Sequence, residues 1–193
     1  MALKDRNTPE HDPQTVLVAI DMQDAFATPS SAWFTEGYPE AQSQVRRLAT
    51  QFRGKTIWTQ FIRDPAEPGS WQDYYKRWQS FQLPPEAPDW ELTSSPDPGD
   101  PIVTQGTFSK WTDGIDKLVN QDTHVIVCGV ATDCCVLATV LDAVDDGVPV
   151  TVVQDACAGA THKAHKQAID LLDLLSPMVQ ISTAEEVLRA QEP

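Results

Sequence analysis

Short apolar runs alternate along this chain with stretches whose apolar residues recur every three or four positions. Residues 15–20 (TVLVAI) form a β-branched run that stops at Asp21, and 55–61 (KTIWTQF) form a second candidate strand. Between them Ala41, Val45, Leu48 and Phe52 line up as one stripe of a helix that ends near Gly54. Regularity returns with a third strand at 101–105 (PIVTQ), a short helix near 113–120 and a fourth strand at 124–129 (HVIVCG). From Thr132 the period is helical again, with Val136, Leu137, Val140, Leu141 and Val144 as the stripe to be buried, and Asp145-Asp146-Gly147 as its stop. A strand at 148–154, a helix at 162–175, a strand near 178–181 and a helix from Thr183 follow. Strands that are apolar throughout and alternate with helices imply a parallel sheet covered on both faces. The expected fold is therefore a three-layer α/β/α, Rossmann-like arrangement with a mostly parallel sheet of about six strands.

Residues 63–99 break the alternation. This stretch is rich in proline, contains Trp71, Trp78 and Trp90, and shows no sustained period, which predicts a lid or an oligomer contact. With 193 residues, a single domain over 1–193 is expected, large enough to hold one apolar core without disulfides or a structural metal. Residues 1–13 are polar and proline-bearing with no apolar segment, so they read as a loose N-terminal arm and not as a signal peptide. Acidic residues outnumber basic ones 28 to 14, a formal charge of −14. Such a surface repels phosphate backbones, and no apolar run reaches the ~20 residues of a membrane span, so neither nucleic acid nor membrane is an expected partner. Cys128, Cys134, Cys135 and Cys157 lie in or beside apolar runs, as reduced thiols of a cytoplasmic protein would.

Open parallel sheets bind ligands beyond the carboxyl ends of their strands. Asp21, the segment 105–110 and Cys135, which follows the Gly129-Val130-Ala131 turn, occupy such places. Thr132 is a suitable N-cap, which puts Cys135 at the third helical position, where bare amides and the helix dipole favour a thiolate. The amides of Ala131 and Cys135 could then receive an oxyanion. Cys134 should point elsewhere, and Cys128 and Cys157 read as packing thiols. Asp21 is partly desolvated behind a buried strand, which suits a general base if a cation compensates it. On local physics alone, however, a helix-start cysteine is more often structural than catalytic, and Asp21 reads as a turn or cap residue.

Three segments, AIDMQDAF (19–26), GVATDCCV (129–136) and DACAGATHKAH (155–165), resemble in order and spacing the signatures of the isochorismatase-like cysteine hydrolases. That superfamily includes nicotinamidases, N-carbamoylsarcosine amidase, ureidoacrylate and biuret amidohydrolases, and isochorismatases. The likeness runs from Thr15 to Leu188, outside the tryptophan-rich stretch. It implies that Asp21 is the catalytic aspartate, Cys135 the nucleophile, and Val130 to Ala131 a non-proline cis peptide that aims an amide at the oxyanion. The implied reaction is cleavage of a carbon-nitrogen bond in a small amide, ureide or carbamoyl substrate through a thioester, without cofactor, in a dimer or larger homo-oligomer.

Two departures from the family pattern matter. The place of the family lysine, counted from Asp100, is taken by Gln105, and the nearest lysine is Lys110 in TFSKW. Lys110 is expected to reach the site from the following loop; otherwise the triad is degenerate and the chain only binds a small molecule. The stretch after the second strand, FIRDPAEP, has no histidine, and His162 and His165 lack a third ligand, so no metal is expected; His124 reads as a residue at the start of a strand. Vinyl ether hydrolysis, with the aspartate as proton donor, is the alternative reaction. Phe26, Gln60, Gln105, Phe108 and Trp111 are expected around a flat or partly apolar substrate.

Overall fold

In the computed structural model, which describes residues 14–191, the strands are β1 (Thr15–Ile20), β2 (Thr56–Phe61), β3 (Ile102–Gln105), β4 (His124–Val130), β5 (Val150–Ala158) and β6 (Val179–Ser182). They form one sheet in the order β3-β2-β1-β4-β5-β6, with every pair parallel. The helices are α1 (Asp24–Ala27), α2 (Tyr38–Gln51), α3 (Trp71–Arg77), α4 (Leu137–Asp145), α5 (His162–Asp173) and α6 (Ala184–Ala190). The chain winds outward from β1 to β3, then outward the other way from β4 to β6. Right-handed crossovers therefore put α2 on one face and α4 and α5 on the other. The expected α/β/α layering is what forms, and the expected arm over 1–13 lies outside the described residues.

This topology leaves a crevice beyond the carboxyl ends of β1 and β4, where the winding reverses. Close packing there depends on Gly129. It pairs with Ile20, has φ of +112°, and a Cβ on it would lie 2.1 Å from the Ile20 carbonyl oxygen. Only glycine fits. Gly129→Ala is expected to lower the free energy of unfolding by of the order of 3 kcal/mol, measurable by denaturant titration. A change within about 0.5 kcal/mol would mean that the two strand ends can separate freely.

Several boundaries differ from the sequence expectation. β3 is an edge strand with Ile102 half exposed, so the sheet is not covered throughout. β5 runs on to Ala158, which puts Cys157 inside a strand. The helix expected near 113–120 is a 3₁₀ turn over Ile115–Lys117. On α4 the buried face is Val136, Val140, Ala143 and Val144; Leu137 is only partly buried and Leu141 is exposed. The reason is angular: Leu137 and Leu141 lie about 100° round the helix from Val136 and Val140.

The irregular stretch 63–99 is ordered by aromatic packing. It holds α3 and two 3₁₀ turns, Gln79–Phe81 and Pro88–Trp90. Tyr75, Phe81 and Trp90 are buried, and Trp33 stacks on Phe81 with ring centroids 3.7 Å apart. Gln23, fully buried, ties this roof to the sheet: its amide nitrogen donates to the carbonyls of Phe61 and Trp90, and its oxygen accepts from the Phe61 amide.

Candidate active site

At the end of β1 the backbone turns through Asp21, whose φ is +47°, and its side chain is completely buried. Thr59 of β2 holds it twice. The Thr59 hydroxyl donates to Oδ1 at 2.5 Å and accepts from the Asp21 amide at 3.1 Å. The Lys110 ammonium lies 3.1 Å from Oδ2, and both side chains are fully buried. No hydrogen bond of good geometry is directed at Oδ2, so this oxygen is held by charge and keeps a lone pair for a proton. The ammonium also donates to the carbonyls of Thr107 and Phe108, and it sits 4.7 Å from the centre of the Phe61 ring. A cation thus compensates the buried carboxylate, and removing either member of such a pair typically costs 3–5 kcal/mol.

Cys135 is 3% exposed and stands across the crevice from this pair. Burial pushes its thiol well upward; the Lys110 charge opposes this, while the nearby Asp21 carboxylate adds to it. This corrects the expectation of a thiolate favoured by a helix start. The local geometry differs as well: Ala131 is the N-cap, residues Thr132–Val136 form a π-helical turn, and the Thr132 hydroxyl pairs with His165 Nδ1 at 2.9 Å instead of capping. The Ala131 carbonyl accepts from the amides of Cys134 and Val136 and not from that of Cys135 between them. The peptide bond between Val130 and Ala131 is cis.

Thr139 joins the two sides of the site, which sequence reasoning missed. Its buried hydroxyl donates to the Cys135 carbonyl at 2.7 Å and accepts from the Lys110 amide at 3.0 Å. Spacing offered a signal, since Thr139 lies four residues after Cys135 and a hydroxyl there reaches back to that carbonyl. Thr59, at an inward position of an apolar strand, gave none.

The site opens into a cavity of about 270 Å³ whose floor includes Ala131, Cys134 and Cys135 and whose walls include Phe26 and Phe108, as expected. Cys134 contradicts the expectation that it points elsewhere, because it shares this cavity. It is half-buried, and burial followed by the nearby Asp133 pushes its thiol up to about 11. Three expected lining residues are absent from the cavity. Gln60 points to the roof, where its amide donates to the Trp90 carbonyl and its oxygen accepts from Thr104. Gln105 turns outward and donates to the Thr112 carbonyl at 2.8 Å. Trp111, 2% exposed, packs inward and gives its indole N–H to Asp146.

Of the described histidines, His124 meets Thr151, His165 meets Thr132, and His162 lies exposed 3.8 Å from Glu36. Among the described residues no group of three or more His, Cys, Asp or Glu side chains is placed to hold a metal ion, and no helix is long and apolar enough to cross a membrane.

Residues 15–186 match the Isochorismatase domain family. Isochorismatase domain-containing protein 2 of Xenopus laevis is 37% identical over 92 residues, which are 44% of this chain and 42% of that protein, so the match spans less than half the length of that relative. A cysteine hydrolase from Pseudomonas syringae pv. phaseolicola 1448A has the same fold, with a TM-score of 0.81 and 24% identity over 92% of each chain. A nicotinamidase/pyrazinamidase from Bacillus subtilis superposes with a TM-score of 0.70 and 18% identity, over 88% of this chain and 99% of that one. With the domain match spanning nearly all of the described residues and the six-stranded parallel sheet to match, this chain belongs to the isochorismatase family of hydrolases.

Proposed function

We propose that the chain is a cysteine hydrolase that cleaves a carbon-nitrogen bond in a small amide, ureide or carbamoyl substrate, with Cys135 as nucleophile, Asp21 as general base and acid, and Lys110 as the cation of the triad. The observation that carries this reading is the fully buried Asp21–Lys110 pair beside the Cys135 thiol at the floor of a cavity. In the first half-reaction the thiol proton passes to Asp21 Oδ2 as the sulfur attacks the carbonyl carbon. Removing the proton during attack suits a thiol whose resting ionisation is disfavoured. Backbone amides at the start of the π-helical turn receive the developing oxyanion. The tetrahedral species then expels the amine, which takes its proton from Asp21, and leaves an acyl group on sulfur. In the second half, water gives a proton to Asp21 and attacks the thioester, releasing the acid and restoring the thiol. Lys110 offsets the carboxylate charge from its place 3.1 Å from Asp21 Oδ2. Four free cysteines fit a cytoplasmic setting, and a homo-oligomer remains part of the proposal.

Degenerate binding and vinyl ether cleavage receive less support, because a cation does sit against Asp21 and the Cys135 thiol is close enough to feel both charges. Ammonia release from a panel of amides, ureides and carbamoyl compounds, measured with the acid co-product, tests the proposal. One-to-one release of both is expected. Turnover of a vinyl ether with no ammonia from any panel member would contradict it.

A further inference from the structure

The walls of the Cys135 cavity carry a selectivity of their own, and the argument rests on the hydrolase reading only for the position of the scissile bond. Phe26, Trp33, Phe61, Tyr74, Trp78 and Phe108 surround the space above the two thiols. The polar lining groups besides the thiols are all neutral: the Thr35 hydroxyl, directed at the Trp33 carbonyl, the Tyr74 hydroxyl, and the indole N–H groups of Trp33 and Trp78, of which that of Trp33 is buried without a hydrogen-bond partner. No lining side chain is charged. The nearby cations are all engaged elsewhere. Lys110 lies behind the Phe61 ring against Asp21, Arg63 pairs with Glu67 and covers Tyr75, and Arg77 covers Trp78 with its guanidinium carbon 5.0 Å from the ring centre.

The geometry points to an amide whose acyl group is an uncharged, single aromatic ring. A carboxylate entering this cavity would lose its water and meet only neutral donors and no free cation, in a protein that already carries a net charge of −14. A cation would find aromatic faces, the usual reason to favour one. Here, however, Phe61 and Trp78 already each face a cation of the protein. A volume of about 270 Å³ suits one ring and its amide and excludes drug-sized ligands.

The test compares four primary amides on the wild-type protein: benzamide, acetamide, 4-carbamoylbenzoate and 4-(aminomethyl)benzamide. Benzamide is expected to exceed acetamide by about 10-fold or more in kcat/KM, and both charged analogues by about 100-fold or more. The same four are titrated into Cys135→Ala, following the fluorescence of Trp33 and Trp78, so that binding is read without turnover. Either charged analogue reaching within about threefold of benzamide in both measurements would overturn the inference. If the wild type releases ammonia from charged and neutral amides alike, the selectivity falls while the hydrolase reading stands. If Cys135→Ala binds benzamide selectively and the wild type releases no ammonia from it, the selectivity stands and the hydrolase reading falls.

Discussion

Lys110→Met is expected to lower kcat by about 10²- to 10³-fold, with a much smaller change in KM. Methionine keeps the unbranched shape of the buried stem and removes the charge. The Lys110 ammonium touches Asp21, two backbone carbonyls and the Phe61 ring and does not line the cavity, so under the proposed mechanism its absence acts on the transition state more than on binding. Because the lysine charge favours ionisation of the Cys135 thiol, its loss should move the pH profile of Cys135 alkylation to higher pH. Stability should also fall by about 3–5 kcal/mol, since a buried carboxylate is left without its cation. Mass spectrometry of iodoacetamide-treated protein across pH, with kinetics and denaturant titration on the same preparation, measures all three. An alkylation profile that stays in place or moves down would contradict the assignment. Adding Gln105→Lys is expected to give no rescue, because the Gln105 side chain is directed at the Thr112 carbonyl and not at Asp21.

Cys135→Ala is expected to abolish turnover to below about 10⁻⁴ of wild type, the scale seen when a nucleophile is removed from a hydrolytic site. Cys134→Ala has a less absolute outcome than its position in the sequence suggests. Its thiol shares the cavity floor but lies beside Asp133, and the Asp21–Lys110 pair acts on the sulfur of Cys135. Loss of this second thiol should therefore alter KM by about 10-fold or less and leave most of kcat. The two variants also separate the thiols by pH. With Cys134 pushed up to about 11, its alkylation in Cys135→Ala should still be rising at pH 10. Equal loss of kcat in both folded variants would sink the assignment of Cys135.

The alternation of elements was legible because β-branched runs and three-to-four spacings report directly on burial, as at 15–20 and along Ala41, Val45 and Leu48. The places of Asp21 and Cys135 were legible for a related reason: both follow strands that the pattern defines. What lies across the chain from them was not. Thr59 and Thr139 look like ordinary strand and helix residues until the fold sets them against Asp21 and Cys135. Gln60 and Trp111 stood in suitable places, yet each found a hydrogen-bond partner away from the cavity. Cys134 was misjudged because a helix start was assumed to be α-helical, and the π-helical turn over Thr132–Val136 brings two successive thiols to the cavity. The stretch 63–99 has order without period, since its rings pack by contact and not by repeat.

An acyl group on Cys135 is the species that separates this reading from every other use of the same fold. Mixing wild-type protein with excess benzamide, quenching in acid within the first turnover and digesting for peptide mass analysis should show a benzoyl adduct on the peptide containing Cys135. Digestion of Cys135→Ala should show none, and hydroxylamine should remove the adduct from wild type. Ammonia release at full rate with no acyl adduct at any quench time, or with the adduct on Cys134, would contradict the account.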